Sequence, residues 1–330
     1  MRAFVTGANG FIGSNICRRL TERGAEVRAL VRAGSDKRLL KDVAVDVVEG
    51  DILDPRSLNR GVEGCDAVFH TAASVKFFAP DKKAMWRTNV EGTQNVLQAA
   101  RVAQVKRFVH TSTVALLKTR STEQSENGQQ ENYVVKGKEI TGTYERSKLE
   151  AEKLVLAAVA DGFPALICSP SGPVGPGDFK PSPVGKVIVQ FLRGKIPAYT
   201  DTGLNVVDVR DVAEGHVLAA EKGKVGERYV LCGENLALAD FFRVLSEVSG
   251  VPVPGIKLPY GVALTFGFFG EIFGRVTGRE PLACLASVRT SKQPHYFVSN
   301  KAEKELGYVT RPVHSSLAEE VAWFRDNDFA

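Results

Sequence analysis

Residues 1–13 read Met1-Arg2-Ala3-Phe4-Val5-Thr6-Gly7-Ala8-Asn9-Gly10-Phe11-Ile12-Gly13. The apolar run ending at Val5 predicts a buried strand and the glycines predict a turn, while Ile16 and Leu20 continue the inner face of a helix. This order opens a dinucleotide-binding βαβ unit, in which the backbone approaches a pyrophosphate and the helix N-terminus stabilises its charge. The glycine spacing is G-x-x-G-x-x-G, whereas G-x-G-x-x-G is more familiar. We predict that the cofactor contacts Gly7, Asn9, Gly10, Phe11, Ile12 and Gly13.

The bulk composition is that of a globular enzyme. The chain has 330 residues, 44% of them hydrophobic and 25% charged, a length that suits one extended α/β domain or one and a half. The net charge of +5 is small and no run of like charge stands out. This balance argues against a nucleic-acid partner.

The cysteines argue against a disulfide framework or a zinc site. Cys17, Cys65, Cys168, Cys232 and Cys284 are far apart, odd in number and form no C-x-x-C pair, and the histidines lack metal-ligand spacing. We expect no cleaved signal peptide, and no stretch reaches the roughly 18 apolar residues that a membrane span requires. These features predict a cytoplasmic protein without a metal ion or a transmembrane span.

The end of the predicted second strand, residues 25–31, bears on cofactor preference. An acidic residue there binds the ribose 2′-hydroxyl of NAD, whereas an arginine accommodates the 2′-phosphate of NADP. Arg32 follows the strand, Lys37 and Arg38 come shortly after, and the first acidic residue is Asp36. The alternative is a solvated basic loop, but the pattern favours NADP(H) over NAD(H).

Two further strands lead into residues expected at the cofactor. Residues 43–48 precede Gly50-Asp51-Ile52, where the carboxylate is available to the adenine amino group. Residues 67–69 precede His70-Thr71-Ala72-Ala73, where small side chains let the cofactor lie close to the backbone. Simple packing of helix against sheet is the alternative for these small residues.

Two longer segments follow in the chain. Residues 81–104 predict one helix, with Asn89 on an otherwise apolar face. Residues 119–142 are polar, with a turn signal at Asn127-Gly128, and predict a long loop.

A strand predicted at residues 108–110 ends in Thr111-Ser112-Thr113, at the edge where open α/β sheets hold their ligands. In the following helix, Tyr144 and Lys148 are four residues apart and project from one face. A phenol with a pKa near 10 is a poor catalyst at neutral pH, but an adjacent ammonium favours its ionised form. We predict that Tyr144 is the acid/base, that Lys148 also binds the nicotinamide ribose, and that Thr113 or Ser112 holds the substrate oxygen.

The second half of the chain predicts a separate lobe. A strand at residues 165–168 is followed by a Pro/Gly loop at 169–177 that would wall off a cleft, and short strands then alternate with helices. We predict an α/β fold: a Rossmann-type doubly wound parallel sheet over residues 1–175, with a smaller C-terminal α/β substrate lobe over residues 176–330. This prediction includes the possibility that segments of one part contribute to the other.

Residues 258–273 carry four phenylalanines and one charge. A helix that is apolar on every side packs its lobe, meets a membrane surface or lines an apolar cleft. We predict a lipophilic substrate from this stretch and leave peripheral contact with a membrane open. The stretch is too short to span a bilayer.

In these motifs the chain resembles an extended short-chain dehydrogenase/reductase of the NAD-dependent epimerase/dehydratase family. The resemblance covers roughly the whole chain, and within it the sequence is similar to dihydroflavonol-4-reductase-like enzymes and to hopanoid-associated sugar epimerases. The shared motifs are Thr6 to Gly13, Gly50-Asp51, His70-Thr71-Ala72-Ala73, Asn89-Val90-Glu91-Gly92-Thr93, Thr111-Ser112-Thr113, and Tyr144 with Lys148.

The resemblance implies a catalytic set of Thr113, Tyr144, Lys148 and Asn89, with threonine where many members have serine. Asp208 stands where relatives often have histidine, so the resemblance does not define the residues that contact the substrate. Such proteins commonly form homodimers through two long helices, here about 84–104 and 143–160. The implied cofactor contacts also include Asp51, Ile52, Thr71, Ala72, Ala73, Thr111, Ser112, Tyr144, Lys148, Pro170 and Ser171.

Three classes of function fit a small-molecule site of this kind. The first is an NADP(H)-dependent carbonyl reductase or dehydrogenase, the second a sugar epimerase or dehydratase that recycles its cofactor, and the third a non-catalytic NADP(H) sensor. Tyr144 and Lys148 argue against a sensor, which needs no acid. Arg32 favours the first class, because the NADPH pool drives net reduction, and we favour that class on a lipophilic ketone or alcohol.

Overall fold

The computed structural model describes residues 1–75, 81–121, 130–134, 140, 142–277, 285–292 and 294–330. Its strands in these ranges are β1 (Arg2–Thr6), β2 (Glu26–Val31), β3 (Asp46–Glu49), β4 (Ala67–His70), β5 (Arg107–Thr111), β6 (Leu117–Ser121), β7 (Gln130–Val134), β8 (Ala165–Pro170), β9 (Gly172–Val174), β10 (Ala198–Thr200), β11 (Gly203–Asp208), β12 (Arg228–Leu231), β13 (Glu234–Ala237) and β14 (Ile256–Leu258). Its helices are α1 (Phe11–Glu22), α2 (Pro55–Val62), α3 (Lys82–Trp86), α4 (Gly92–Val102), α5 (Thr143–Ala160), α6 (Pro183–Leu192), α7 (Val209–Lys222), α8 (Leu238–Ser249), α9 (Tyr260–Thr277), α10 (Leu285–Thr290), α11 (Asn300–Leu306) and α12 (Val313–Asp326).

The largest sheet has seven parallel strands in the order β12-β8-β5-β4-β1-β2-β3. From β1 the chain first builds outward through β2 and β3, then returns to place β4 on the other side of β1. The order therefore reverses beside β1, and the crevice at such a switch point is where open α/β sheets bind their ligands.

Both faces of this sheet are covered by helices. Ala3 and Val5 of β1 pack into one buried cluster with residues of α1 and α7, such as Ile16. Phe4, between them, packs into the opposite cluster with α2, α4 and α5. Alternation along β1 thus buries apolar side chains on both faces, as a doubly wound parallel sheet requires. The predicted Rossmann-type α/β fold is confirmed.

A smaller lobe has its own sheet and core. β13, β11 and β9 form a three-stranded sheet, and β10 pairs with β14. Phe191 of α6, Phe242 of α8 and Phe324 of α12 are buried in its core. β12, at residues 228–231, pairs with β8 in the large sheet, so a strand from the second half of the chain completes the sheet of the first half. The division at residue 175 stays a prediction.

Two predicted segments differ in detail. The helix expected over residues 81–104 is broken into α3, a π-helical turn at Arg87–Glu91, and α4. The wider turn carries Asn89, whose buried side chain bonds to two neighbouring elements, and π turns often occur where such a side chain must face inward. Part of the loop expected over residues 119–142 is strand, because β6 pairs antiparallel with β7. The sequence of these two strands is mostly polar, so it lacks the alternation of apolar residues that predicts a strand. The predicted turn at Asn127-Gly128 lies outside the described residues.

Candidate active site

The glycine turn between β1 and α1 has the shape that a pyrophosphate needs. Gly7 has a φ of +67°, a left-handed conformation that other residues rarely adopt. A Cβ atom on Gly7 would lie 2.8 Å from the Cα atom of Ala72, and one on Gly13 would collide with the carbonyl oxygen of Gly7. No side chain in the described part of the chain caps α1, so the amides of its first turn are available to an anion. These residues fit a dinucleotide.

The loop after β2 is held against this turn. Asn9 donates from Nδ2 to the carbonyl oxygen of Asp36 at 2.9 Å. Asp36 in turn pairs with Arg38, and the Arg38 guanidinium lies 4.4 Å from the ring centre of Phe179. Arg38 therefore links the loop to the second half of the chain.

An open cavity of about 650 Å³ lies between the ends of β2 and β3, where the adenosine of a dinucleotide is expected. It is lined by Arg32, Ser35, Asp51 and Arg60, among others. Lys37 and Arg38 are not among its lining residues. Arg60, on α2, was missed by sequence reasoning; it lies far along the chain from Arg32, and only the fold brings both to one cavity.

Asp51 and Ile52 occupy the end of β3 in different ways. One carboxylate oxygen of Asp51 accepts a hydrogen bond from the amide of Leu53 at 2.9 Å. Ile52 is buried against Gly92, where a Cβ atom would lie 2.5 Å from its Cδ1. Ile52 thus fixes the distance between the β3 end and α4.

The end of β4 lies directly against the glycine turn. The hydroxyl of Thr71 donates to the carbonyl oxygen of Thr6 at 2.6 Å. The amide of Ala72 donates to the hydroxyl of Thr6 at 3.3 Å, and Ala73 follows, half-buried. The small side chains permit this close approach of the two backbones.

Asn89 joins two elements beside the site. Its Oδ1 accepts from the amide of Ser74 at 2.7 Å, and its Nδ2 donates to the hydroxyl of Ser147 on α5 at 2.9 Å. Both amide atoms are thereby used within the protein. This arrangement makes Asn89 a positioning residue for α5.

Tyr144, Lys148 and Thr113 come together at the C-terminal edge of β5. Tyr144 and Lys148 are both buried on one face of α5. A hydrogen bond joins Tyr144 to the Thr113 side chain, whose oxygen also accepts from the amide of Ala115 at 3.1 Å. Lys148 donates from Nζ to the carbonyl oxygen of Thr111 at 2.7 Å. The predicted catalytic hydroxyls and ammonium therefore share one site.

Burial sets the protonation of this pair. It raises the pKa of Tyr144 to about 12, against a smaller lowering by the hydrogen bond with Thr113. It lowers the pKa of Lys148 to about 8, while the charge of Glu152 acts in the opposite direction. The phenol is therefore protonated at neutral pH and carries a proton to donate, whereas the ionised form that the sequence predicted from the neighbouring ammonium is disfavoured by burial.

A buried ion pair behind Lys148 was not predicted. Glu152 lies one turn further along α5, is 2% exposed and is paired with Arg228 of β12. Ser112 donates from Oγ to Glu152 at 2.7 Å. The hydroxyl of Ser112 is thus committed to Glu152, which leaves Thr113 as the hydroxyl facing Tyr144. The four-residue spacing from Lys148 to Glu152 was the available signal.

Pro170 and Ser171 lie at the end of β8, the strand beside β5. Pro170 ends β8, and the amide of Ser171 donates to the carbonyl oxygen of Leu231 at 3.1 Å. Within the described ranges, the buried hydroxyl of Ser171 has no hydrogen-bond partner, which suits a contact with a bound group.

The comparisons with known proteins agree with this geometry. Residues 3–232 match the NAD dependent epimerase/dehydratase family. The chain belongs to this family. It is 39% identical to a putative dihydroflavonol 4-reductase from Synechocystis, over 99% of this chain and 95% of the relative. It is 34% identical to sterol demethylase protein B from Methylococcus capsulatus, over 99% of each chain. The crystal structure of gox2253 matches with a TM-score of 0.84 at 40% identity, covering 98% of both chains.

Membership of the epimerase/dehydratase family confirms the predicted resemblance and makes the chain a nicotinamide-dinucleotide-dependent oxidoreductase or epimerase. No described helix is long and apolar enough to cross a membrane. The four cysteines in the described ranges are free and buried; Cys284 lies outside them. No group of metal-binding side chains occurs among the described residues.

Two buried histidines that contact the strand ends of the candidate site are neutral. Burial lowers the pKa of His70 to about 3 and that of His216 to about 4. His70 bonds to Thr6 and Thr93, and His216 bonds to Thr111 at 2.9 Å. Both brace the strand ends that carry the site and are not acids at neutral pH.

Proposed function

We propose that the protein is an NADP(H)-dependent reductase or dehydrogenase that interconverts a lipophilic ketone and its alcohol. The observation that carries this proposal is the buried Tyr144 hydroxyl, bonded to Thr113, with the Lys148 ammonium one helical turn away. An acid, a second hydroxyl and a cation at the end of β5 are what carbonyl reduction requires.

Each residue has a distinct part in the reaction. The glycine turn at Gly7, Gly10 and Gly13 would hold the dinucleotide, which would supply the hydride for reduction or take it up in oxidation. Tyr144 gives its hydroxyl proton to the substrate oxygen, so that hydride and proton together convert a ketone to an alcohol. Thr113 orients that oxygen by a hydrogen bond. Lys148, one helical turn away on α5, supplies a positive charge on the same face as the phenolate left on Tyr144, and a nearby cation favours that charged form.

The preference for NADP(H) is supported by the adenosine cavity. Arg32 and Arg60 both line it, and both are exposed to solvent. Two arginine side chains that line one cavity suit a 2′-phosphate, to which a guanidinium can donate two hydrogen bonds. Glu49, Asp51 and Asp54 also line the cavity, so the surface that suits a phosphate is confined to the part formed by the arginines.

A lipophilic substrate is supported by the relatives and by the arginines of the second half. The two named relatives are called a dihydroflavonol reductase and a sterol demethylase protein, and both names refer to ring compounds of low polarity. A nucleotide sugar would require cationic groups for its diphosphate. Of the seven arginines of this half whose side chains the structure describes, Arg289 is exposed. The other six have partners within the chain: Arg193, Arg210, Arg228, Arg243, Arg311 and Arg325.

A homodimer is part of this proposal. α3, α4 and α5 lie beside one another, and exposed apolar side chains on them include Trp86, Val102 and Leu156. Such residues suit a four-helix bundle between two copies. Light scattering of the wild type and of Val102→Glu tests the dimer, because a charge in the bundle would separate the copies.

The proposed location is the cytoplasm. The free, buried cysteines suit such a reducing compartment.

The proposed reaction is tested by incubating the protein with NADPH and either hydrophobic ring ketones or UDP-sugars. Loss of absorbance at the reduced-nicotinamide band with a ketone is the expected result. Conversion of a UDP-sugar with no net change in the cofactor would instead establish the epimerase reaction. Tight NADPH binding without turnover of either substrate class would instead indicate a non-catalytic NADP(H) sensor.

A further inference from the structure

The helix α9 carries its large apolar side chains on the outside of the protein. Six of them are between 42% and 63% exposed. Its buried positions are small: Ala263, Gly267 and Gly274. This is the reverse of an ordinary surface helix, which buries its large apolar residues and exposes polar ones. We call the exposed set the α9 face; it consists of Val262, Phe266, Phe268, Phe269, Ile272 and Phe273.

The α9 face is broad and continuous. At 100° per residue, its six members cover an arc of roughly 160° around the helix. Thr265 also lies within that arc, and its hydroxyl donates to the carbonyl oxygen of Gly261 at 3.2 Å, so its polar group is satisfied inside the helix. Monomeric proteins rarely leave so many adjacent large apolar residues in water, and a patch of this kind marks an interaction surface.

The stretch of sequence that contains α9 is mainly basic. Residues 256–292 contain five basic and two acidic residues, a net charge of +3 out of +5 for the whole chain. Residues 258–270, the first part of the helix and its approach, contain no charged residue. Arg289 and Lys292 after the helix are exposed, whereas Lys257 before it is paired with Asp201 at 2.9 Å. An apolar face followed by exposed basic residues is complementary to a bilayer that contains anionic lipids.

We propose that the α9 face inserts into the surface of a lipid bilayer that contains anionic phospholipids. The helix lies along the membrane plane, since no described helix is long and apolar enough to cross it. A second copy of the chain fits less well. Helix pairing needs only a narrow seam of two positions per heptad, whereas Phe268 and Ile272 extend the apolar surface well beyond such a seam.

This inference goes beyond the proposed reaction and does not depend on it. Ring ketones and alcohols of low polarity partition into membranes, so a protein that acts on them gains access to substrate at the bilayer surface. Membrane binding is nevertheless measured without any turnover.

Vesicle flotation of the full chain tests the inference. Vesicles of phosphatidylcholine alone are compared with vesicles of phosphatidylcholine and phosphatidylglycerol. We expect the wild type to float with the anionic vesicles, and less so at high salt. Phe266→Ser combined with Phe269→Ser should lower the partition coefficient at least about tenfold, because each buried phenylalanine contributes strongly to insertion. Arg289→Glu combined with Lys292→Glu should reduce the preference for anionic vesicles.

Val225→Ser combined with Val309→Ser is the matched control, because both valines are exposed elsewhere on the protein. This control should float like the wild type, and circular dichroism should show that all variants are folded. A wild type that stays unbound with both vesicle types overturns the inference. So does concentration-dependent association that the two serine substitutions on α9 abolish, which would assign the face to a second copy. A protein that floats but reduces no ketone would refute the proposed reaction alone.

Discussion

Lys148 donates a hydrogen bond from Nζ to the carbonyl oxygen of Thr111 across 2.7 Å. This bond ties α5 to the end of β5, two residues before Thr113. Because Tyr144 is one turn earlier on the same helix, the bond also fixes where its hydroxyl meets Thr113. The position of the acid is therefore set by the cation that assists it.

Replacing Tyr144 by phenylalanine should abolish most turnover and leave the cofactor site intact. Only the hydroxyl is lost, and a positioned acid contributes about 10²- to 10⁴-fold to the rate. Stopped-flow kinetics and NADPH titration measure the two effects separately. We expect a rate loss in that range with NADPH affinity within a few-fold of the wild type. A Tyr144→Phe enzyme with wild-type turnover would show that Tyr144 is a packing residue.

The charge on Glu152 should set the upper pH limit of activity. Burial lowers the pKa of Lys148 to about 8, and Glu152 raises it. Activity that needs the ammonium should therefore fall as the pH rises above about 8. Glu152→Gln removes the opposing charge and should move this fall to lower pH.

The comparison requires Arg228, the partner of Glu152, to be neutralised as well. Glu152→Gln with Arg228→Gln should show the same direction of shift while avoiding an unpaired buried charge. Profiles of kcat/KM against pH that coincide for all three proteins would rule out control of Lys148 by Glu152.

Arg32 should determine the preference between NADPH and NADH. Arg32→Asp removes the cation at the adenosine cavity and introduces a carboxylate that repels a 2′-phosphate. Calorimetry should show NADPH binding weakened by at least about tenfold, with NADH binding unchanged or improved. Arg38→Ala is the control, since that side chain is engaged with Asp36 and Phe179. Equal binding of both cofactors by the wild type would refute the NADP(H) preference.

Glu320 should make the protein less stable as the pH rises. It is fully buried, and burial raises the pKa of its carboxyl well above the usual range, helped by the charge of Asp178 and opposed by a smaller lowering from the Gly175 backbone. Burial also raises the pKa of nearby Asp178 to about 6. For an acid with a raised pKa, the folded state binds more protons than the unfolded state, so stability is lost as the pH rises from about 4 through the folded pKa.

Glu320→Gln removes the ionisable group at nearly constant shape. Its free energy of unfolding at pH 8 should exceed that of the wild type by about 1–3 kcal/mol, with a smaller difference at pH 5. Denaturant unfolding at both pH values measures this. A variant that is less stable than the wild type at pH 8 contradicts the assignment of a buried, neutral Glu320.

The fold and the catalytic residues could be predicted because their signals are local. The glycine turn, the spacing of Tyr144 and Lys148, and the apolar strands each lie within one short stretch. Arg60 in the cavity and Arg228 behind Glu152 depend on long-range packing, which no spacing reveals. The π-helical turn at Asn89 was missed because its extra residue does not disturb the apolar pattern. The orientation of α9 could not be predicted either, since a helix apolar on every side gives no preferred face.

Transfer of hydride and proton to a ketone at the Tyr144 site can be followed with NADPH that carries deuterium at the transferred position of C4. Mass spectrometry of the alcohol formed from a hydrophobic ring ketone should show one deuterium per molecule with the wild type and almost no product with Tyr144→Phe. A wild type that transfers no deuterium to any ketone, yet epimerises a UDP-sugar without consuming the cofactor, would show that the protein is an epimerase and not a ketone reductase.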